Sequence, residues 1–324
     1  MSAVTGAGGE TAAPAAPAAT LVIHPGALGD VLLAVPALRA LRVRYPADRL
    51  VLAAQPHVGR LLAVLGLVDE ARAVESLGLE ALFVDDGTPP RVPAVQAAGR
   101  VVSWFGARDA VYVGRLRALS PGATIAPAAG DPGRPVWEHL LATVGAAGTG
   151  VEVRGPVALP APLVARGEAL LRRAGWDGRT PLAILHVGAG GPAKRWPVEG
   201  FVRVVESLTA RRPLALAVHE GPADADPVSA LARRLPGLLR LTDVRLPDLA
   251  GALRRAGVYL GNDSGVSHLA AAVGTPSVVL FAPVNLAWRP WSPTARVLPV
   301  SLPDCRDEDV AAVSEAVEAL LVGS

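Results

Sequence analysis

Residues 258–283 read VYLGNDSGVSHLAAAVGTPSVVLFAP, and the way this stretch divides decides the fold. Val258-Tyr259-Leu260 is a short β-branched and aromatic run that stops at Gly261-Asn262-Asp263-Ser264-Gly265. From Val266 the spacing turns helical, with Leu269, Ala270 and Val273 following, until Gly274-Thr275-Pro276 ends the helix. Ser277 to Phe281 is then a second buried strand. The polar residues Asp263, Ser264, Ser267 and His268 therefore fall at a helix N-terminus, where unpaired N–H groups and the helix dipole favour an anion. Asp263 and Ser264 are equally ordinary N-cap residues. A lone His one turn into a small-residue helix is more often structural, so the cluster has to be judged by its company.

The same alternation runs through the rest of the chain. Leu21 to His24 reads as a strand leading into Pro25-Gly26-Ala27-Leu28-Gly29-Asp30, with Asp30 as N-cap of a helix from Val31 to about Arg44. Leu182 to His186 is a strand followed by the turn Val187 to Pro197 and a helix from Val198. Between Val68 and Pro93 the pattern is poorest. Prolines 156, 160 and 162 mark a boundary. The expected organisation is a tail over 1–20, a Rossmann-like domain over 21–155, a second over 163–303, and a last segment 304–324 carrying an amphipathic helix from Asp307. Strands alternating with helices in both halves predict an α/β chain with two doubly wound parallel sheets.

Composition narrows the function classes. Hydrophobic residues make up 51% and charged ones 19%, with a net charge of +2, too little to argue for a nucleic-acid partner. No run is long and uninterrupted enough for a membrane span. The first twenty residues have neither a basic start nor an apolar core, so they read as a disordered tail and not as a signal peptide. One cysteine, Cys305, leaves no internal disulfide and fits a reducing cytoplasm. The six histidines are scattered, and no metal site is expected. Of 31 cationic residues a single one, Lys194, is lysine, and it stands in a glycine-rich turn.

In that turn Gly188, Ala189 and Gly190 let a phosphate approach the main chain, and Lys194 adds a mobile point charge. A tight turn with a surface lysine explains the same residues. Arg195 after the lysine excludes a Walker A loop, and neither glycine cluster completes G-x-G-x-x-G. Asp30, at the C-terminal end of a strand, is placed to accept a proton from a hydroxyl as well as to cap its helix. Gly-Asn-Asp-Ser-Gly resembles the nucleophile segment of trypsin-like proteases, but that fold is all-β, and no G-x-S-x-G elbow is present.

Three motifs together resemble glycosyltransferase family 9, the ADP-heptose:lipopolysaccharide heptosyltransferases and their relatives. They are His24 to Asp30, then Lys194-Arg195-Trp196-Pro197, then Asn262 to Ala272 with Gly274-Thr275-Pro276. The resemblance implies a GT-B architecture of two Rossmann-like domains facing across a cleft. It implies inverting, metal-independent transfer of a sugar, heptose from ADP-heptose, to a lipopolysaccharide-type or other cell-envelope glycan. Asp30 would be the base and Lys194 the diphosphate ligand. Gly188, Ala189, Gly190, Lys194, Asp263, Ser264, Gly265 and His268 would bind the donor. Arg39 and Arg42 could meet anionic groups of a glycolipid acceptor. No cofactor and no nucleic acid are implied, the place of work is the cytoplasm or the inner face of its membrane, and the last helix would cross back to the first domain. Val266 stands where many relatives have Pro, and Glu220 replaces a Gly-Gly start in the Glu220–Asp224 loop. Two other readings share the architecture: a nucleotide-sugar epimerase and a non-catalytic nucleotide-sugar binder.

Overall fold

A computed structural model of the chain describes residues 18–146, 152–302 and 304–322. Its first sheet contains β1 (Ala19–Ile23), β2 (Arg49–Ala54), β3 (Glu70–Ala73), β4 (Arg100–Ser103) and β5 (Thr124–Ile125), in the order β3-β2-β1-β4-β5. The second contains β6 (Leu182–His186), β7 (Ala215–Glu220), β8 (Leu239–Thr242), β9 (Val258–Asn262), β10 (Ser277–Phe281) and β11 (Ala295–Pro299), in the order β11-β10-β9-β6-β7-β8. Every pairing is parallel. The helices are α1 (Leu28–Leu33), α2 (Val35–Arg44), α3 (Pro56–Val64), α4 (Pro93–Gln96), α5 (Ala110–Leu119) and α6 (Val136–Thr143), then α7 (Ala161–Arg173), α8 (Val198–Thr209), α9 (Ala225–Arg234), α10 (Leu246–Arg255), α11 (Gly265–Ala272) and α12 (Asp307–Val322). The inner strands β1, β6, β9 and β10 are buried almost throughout, as strands covered by helices on both faces must be.

Several expectations shift once packing is seen. Residues 1–17 of the expected tail lie outside the described residues, while Ala19 and Thr20 already pair with Arg49 and Leu50 in β1. The single helix expected from Val31 to Arg44 is two. Ala34 separates α1 from α2, and Pro36, in the first turn of α2, has no N–H to continue the ladder. The indistinct segment 68–93 holds the short edge strand β3 and two 3-10 turns, Val74–Leu77 and Leu79–Leu82. Helix α12 does not cross to the first sheet. Its apolar residues Val310, Val313, Ala316 and Val317 join the core of Val202, Val205, Leu260 and Val278, so it lies on α8, β9 and β10.

One apolar core runs through both halves. It includes Leu32 and Leu33 of α1, Leu61 of α3, Leu249 of α10, Leu269 of α11 and Trp291. Buried Trp291, from the second half, donates its indole N–H to Leu32 O at 2.8 Å. The two sheets thus meet with the C-terminal ends of β1 and β9 facing each other through α1 and α11.

Candidate active site

The meeting of α1 with α11 brings the motif residues together. Both helices begin directly after a strand, and glycines stand where they touch. A Cβ on Gly265 would lie 2.9 Å from Leu28 Cβ and 3.2 Å from Gly29 N, and one on Gly29 would lie 3.0 Å from the His268 ring. At Gly265 a side chain would press on α1 itself, whereas at Gly29 it would crowd the His268 ring, so the close approach leans most on Gly265.

Asp30 does not cap α1 as its N-cap residue. The helix starts two residues earlier, at Leu28, and Asp30 reaches back to accept the Ala27 N–H at 3.0 Å. Burial raises its pKa above the usual carboxylate value. The Ala27 N–H and the charge of Lys194 pull it down, and the charge of Asp263 pushes it up. Asp30 therefore feels two groups carried by the other sheet.

Those two groups form an ion pair. Lys194, at the end of the 3-10 turn Pro192–Lys194, donates from Nζ to Asp263 Oδ2 at 2.8 Å. The carboxylate side chain is 6% exposed and the lysine 41%, so the cation is the member open to solvent. Ser264 is the N-cap of α11 and accepts the Ser267 N–H at 3.3 Å. His268, in the first turn, is buried, and burial lowers its pKa to about 4, with Asp263 opposing and Lys194 assisting. It is neutral at pH 7.

The glycine turn is held unevenly. A Cβ on Gly188 would overlap the Asp224 carboxylate, whereas Gly190 and Gly191 have open space beside them. Ala189 is buried. Asn262, quoted in the third motif but given no role of its own, fastens the turn. Its Oδ1 accepts the Trp196 N–H at 3.0 Å, and its Nδ2 donates to Val187 O at 3.0 Å and Gly188 O at 3.4 Å. Also overlooked are His24, His186, His219 and Asp224, all buried. The signal for three of them was present in the sequence, where β1, β6 and β7 each run into a histidine at or near the strand end. His24 Nδ1 accepts the Gly26 N–H at 3.3 Å, while its buried Nε2 has no partner among the described residues.

Arg39 and Arg42, expected at the acceptor, both have partners within the chain. Arg39 donates to Val153 O (3.0 Å), Gly155 O (2.5 Å) and Pro156 O (3.2 Å) and lies 5.4 Å from the Trp291 ring centre. Arg42 makes a two-pronged bond to Asp69, at 3.0 and 2.9 Å. Both guanidiniums are engaged with the chain itself, Arg42 in an ion pair that remains open to solvent. Among the described residues no group of three His, Cys, Asp or Glu side chains could hold a metal ion. No helix there is long and apolar enough to cross a membrane.

The comparisons point the same way as the motifs. Residues 163–312 match the family model described as glycosyltransferase family 9 (heptosyltransferase). A stretch of 114 residues is 32% identical to lipopolysaccharide heptosyltransferase 3 of Escherichia coli, covering 31% of this chain and 31% of that enzyme. In sequence, then, the chain spans about a third of the length of the curated relatives it matches. In structure the likeness extends further. The E. coli ADP-heptose lipopolysaccharide heptosyltransferase II superposes with a TM-score of 0.72 at 19% identity, over 94% of this chain and 99% of that one. E. coli heptosyltransferase WaaC, solved with ADP, gives 0.66 at 16% identity, over 93% and 99%. The resemblance to family 9 stands, and the chain has the GT-B architecture of these structures.

Proposed function

We propose that the chain is a glycosyltransferase that moves a heptose from ADP-heptose to a lipopolysaccharide-type acceptor, with inversion and without a metal. The observation that carries this reading is the placement of one carboxylate, Asp30, within electrostatic reach of a solvent-open lysine on the opposite sheet. In this reading the donor's diphosphate lies along the start of α11 and the turn Gly188 to Lys194. The unpaired N–H groups of the helix and the Lys194 ammonium take up its charge. The acceptor hydroxyl gives its proton to Asp30 and its oxygen attacks the anomeric carbon from the face opposite the diphosphate. The carbon–oxygen bond to phosphate breaks, and the departing diphosphate carries away the electron pair.

Each part has a stated size. A positioned base is worth about 10²–10⁴ in rate. Fixed donors facing developing charge contribute on the order of 3 kcal/mol each, the role a metal plays in other transferases. Heptose, adenine and the acceptor class are taken from the names of these relatives.

Thermal-shift titration with ADP, UDP and GDP tests the donor assignment. The cognate nucleotide at 100 times its Kd should add about 2.7 kcal/mol of stability. Transfer assays with Asp30→Asn and Lys194→Ala test the chemistry, and full activity in both would end the assignment. Rearrangement of the donor sugar without any acceptor would instead favour an epimerase.

A further inference from the structure

The transfer chemistry gives no part to His24, the residue that follows the apolar run of β1. Its main-chain N–H donates to Ala53 O at 2.9 Å, and its side chain is buried. The ring stands edge-on to buried Trp104, with ring centres 5.7 Å apart and planes at 67°. Trp104 is fixed in turn. Its main-chain N–H meets Ile23 O at 3.0 Å, and its indole donates to Thr143 Oγ1 of α6 at 2.9 Å.

On its other side the ring braces the turn that leads to Asp30. His24 Nδ1 accepts the Gly26 N–H at 3.3 Å, and Gln55 donates from Nε2 to Pro25 O at 3.2 Å. The next N–H along, that of Ala27, is the one that holds Asp30 Oδ2. A Cβ on Gly26 would lie 2.7 Å from Asp30 Cβ and 2.8 Å from His24 Cε1, so bare glycine lets the ring and the base flank one residue. Burial keeps the ring neutral, with its pKa lowered to about 4, and the main chain of Asp30 opposes part of that shift. Because Nδ1 accepts, Nε2 bears the ring proton, and it is buried with no hydrogen-bond partner among the described residues. A donor left unmet in this way costs stability, and an apolar side chain of similar size would avoid the cost. What the imidazole alone supplies is the Nδ1 acceptor under the turn.

We propose that His24 is a positioning residue for Asp30: by accepting the Gly26 N–H while wedged against Trp104, it fixes the turn over residues 25–27 and so the direction in which the Asp30 carboxylate faces the acceptor hydroxyl. The proposal rests on the transferase reading and adds to it a residue that never touches substrate. A base moved off its line of approach loses rate without loss of binding.

Steady-state transfer by the full chain, from ADP-heptose to a lipopolysaccharide stripped of its heptoses, tests it in His24→Leu, His24→Asn and Gly26→Ala. Tm and isothermal titration with ADP are measured beside it. His24→Leu fills the space but offers no acceptor, so kcat should fall on the order of tenfold while ADP affinity and both KM values hold. His24→Asn leaves a cavity, yet its Oδ1 stands near the place of Nδ1 and takes the Gly26 N–H. It should have the lower Tm of the two and still keep most of the rate. Gly26→Ala drives the ring and the carboxylate apart and should reproduce the loss in kcat. A purely structural role would make the rate follow Tm, with His24→Asn the slower enzyme. That order, or an unchanged kcat in His24→Leu, overturns the proposal and leaves the transferase reading standing. Should His24→Leu fail to fold, Gly26→Ala carries the same test. A wild-type protein that neither binds ADP, UDP or GDP nor transfers a sugar would instead overturn the transferase reading and this proposal with it.

Discussion

Gly265 and Gly29 face each other across the contact of α11 with α1, with the Gly29 nitrogen 3.2 Å from where a Gly265 side chain would begin. Because α1 carries Asp30 and α11 follows Asp263, this contact sets the distance between the two carboxylates. Gly265→Ala should push the helices apart and cost about 1–3 kcal/mol, as overpacking does. The transfer rate should fall by more than that loss of stability implies, which kcat measured beside Tm will show. An unchanged kcat would mean that the helix contact does not govern the reacting distance.

Lys194 and Asp263 should shift the titration of Asp30 in opposite senses. The rate should rise with pH on an acid limb set by Asp30, above the ordinary carboxylate value because the group is buried. Lys194→Ala removes a charge that lowers that pKa, so the limb should move to higher pH. Asp263→Asn removes one that raises it, so the limb should move lower. Rate–pH profiles of the three proteins decide it, and shifts in the same direction would refute the shared site.

The raised pKa of Asp30 also has a stability consequence. In the window between the unfolded and folded pKa values the native state binds the proton more tightly, so this group's contribution is lost as pH rises through the window. Asp30→Asn should therefore raise Tm at pH 7 while abolishing transfer, and the gain should vanish below the ordinary carboxylate range. Denaturation curves at several pH values check this.

Buried histidines act with the opposite sign. His24, His186, His219 and His268 are each lowered by burial from 6.5 to about 4. Below pH 6.5 the unfolded chain takes up protons that the native one refuses, so stability present above 6.5 is lost as pH falls towards 4. Tm should drop steeply across that interval, and a flat profile from pH 7 to 4.5 would contradict the burial of these rings.

Arg39→Met tests a structural assignment against a binding one. The guanidinium bonds three carbonyls between Val153 and Pro156 and stacks on Trp291, so its loss should cost about 1–3 kcal/mol in stability. Donor and acceptor KM values should not change. A selective rise in acceptor KM would return Arg39 to the acceptor site.

What could be read from the sequence was what local pattern encodes. The strand–turn–helix units after β1, β6 and β9 are visible as apolar periodicity broken by glycine and polar residues. Parallel sheets bring the ends of such units together, so Asp30, Lys194, Asp263 and His268 could be gathered from three separate motifs. Partners contributed by distant segments could not be read. The arginines of α2 show on the sequence as a charged face, but nothing local says that Arg39 meets residues 153–156, or Arg42 meets Asp69. Asp224 lay in a loop whose unusual Glu220 drew notice, yet its burial depends on Arg195 and His186, which approach from another strand. The terminal helix shows the same limit: its apolar stripe marks a buried face, but the crossing to the first domain was implied by the resemblance alone, and the stripe packs on α8, β9 and β10.

The bond from Trp291 to Leu32 O lies inside a core that belongs to neither half alone. Two sheets of this kind would ordinarily be expected to melt as two bodies. Here, to release one is to open the greasy seam of the other, so calorimetry should register a single endotherm whose van't Hoff and calorimetric enthalpies agree.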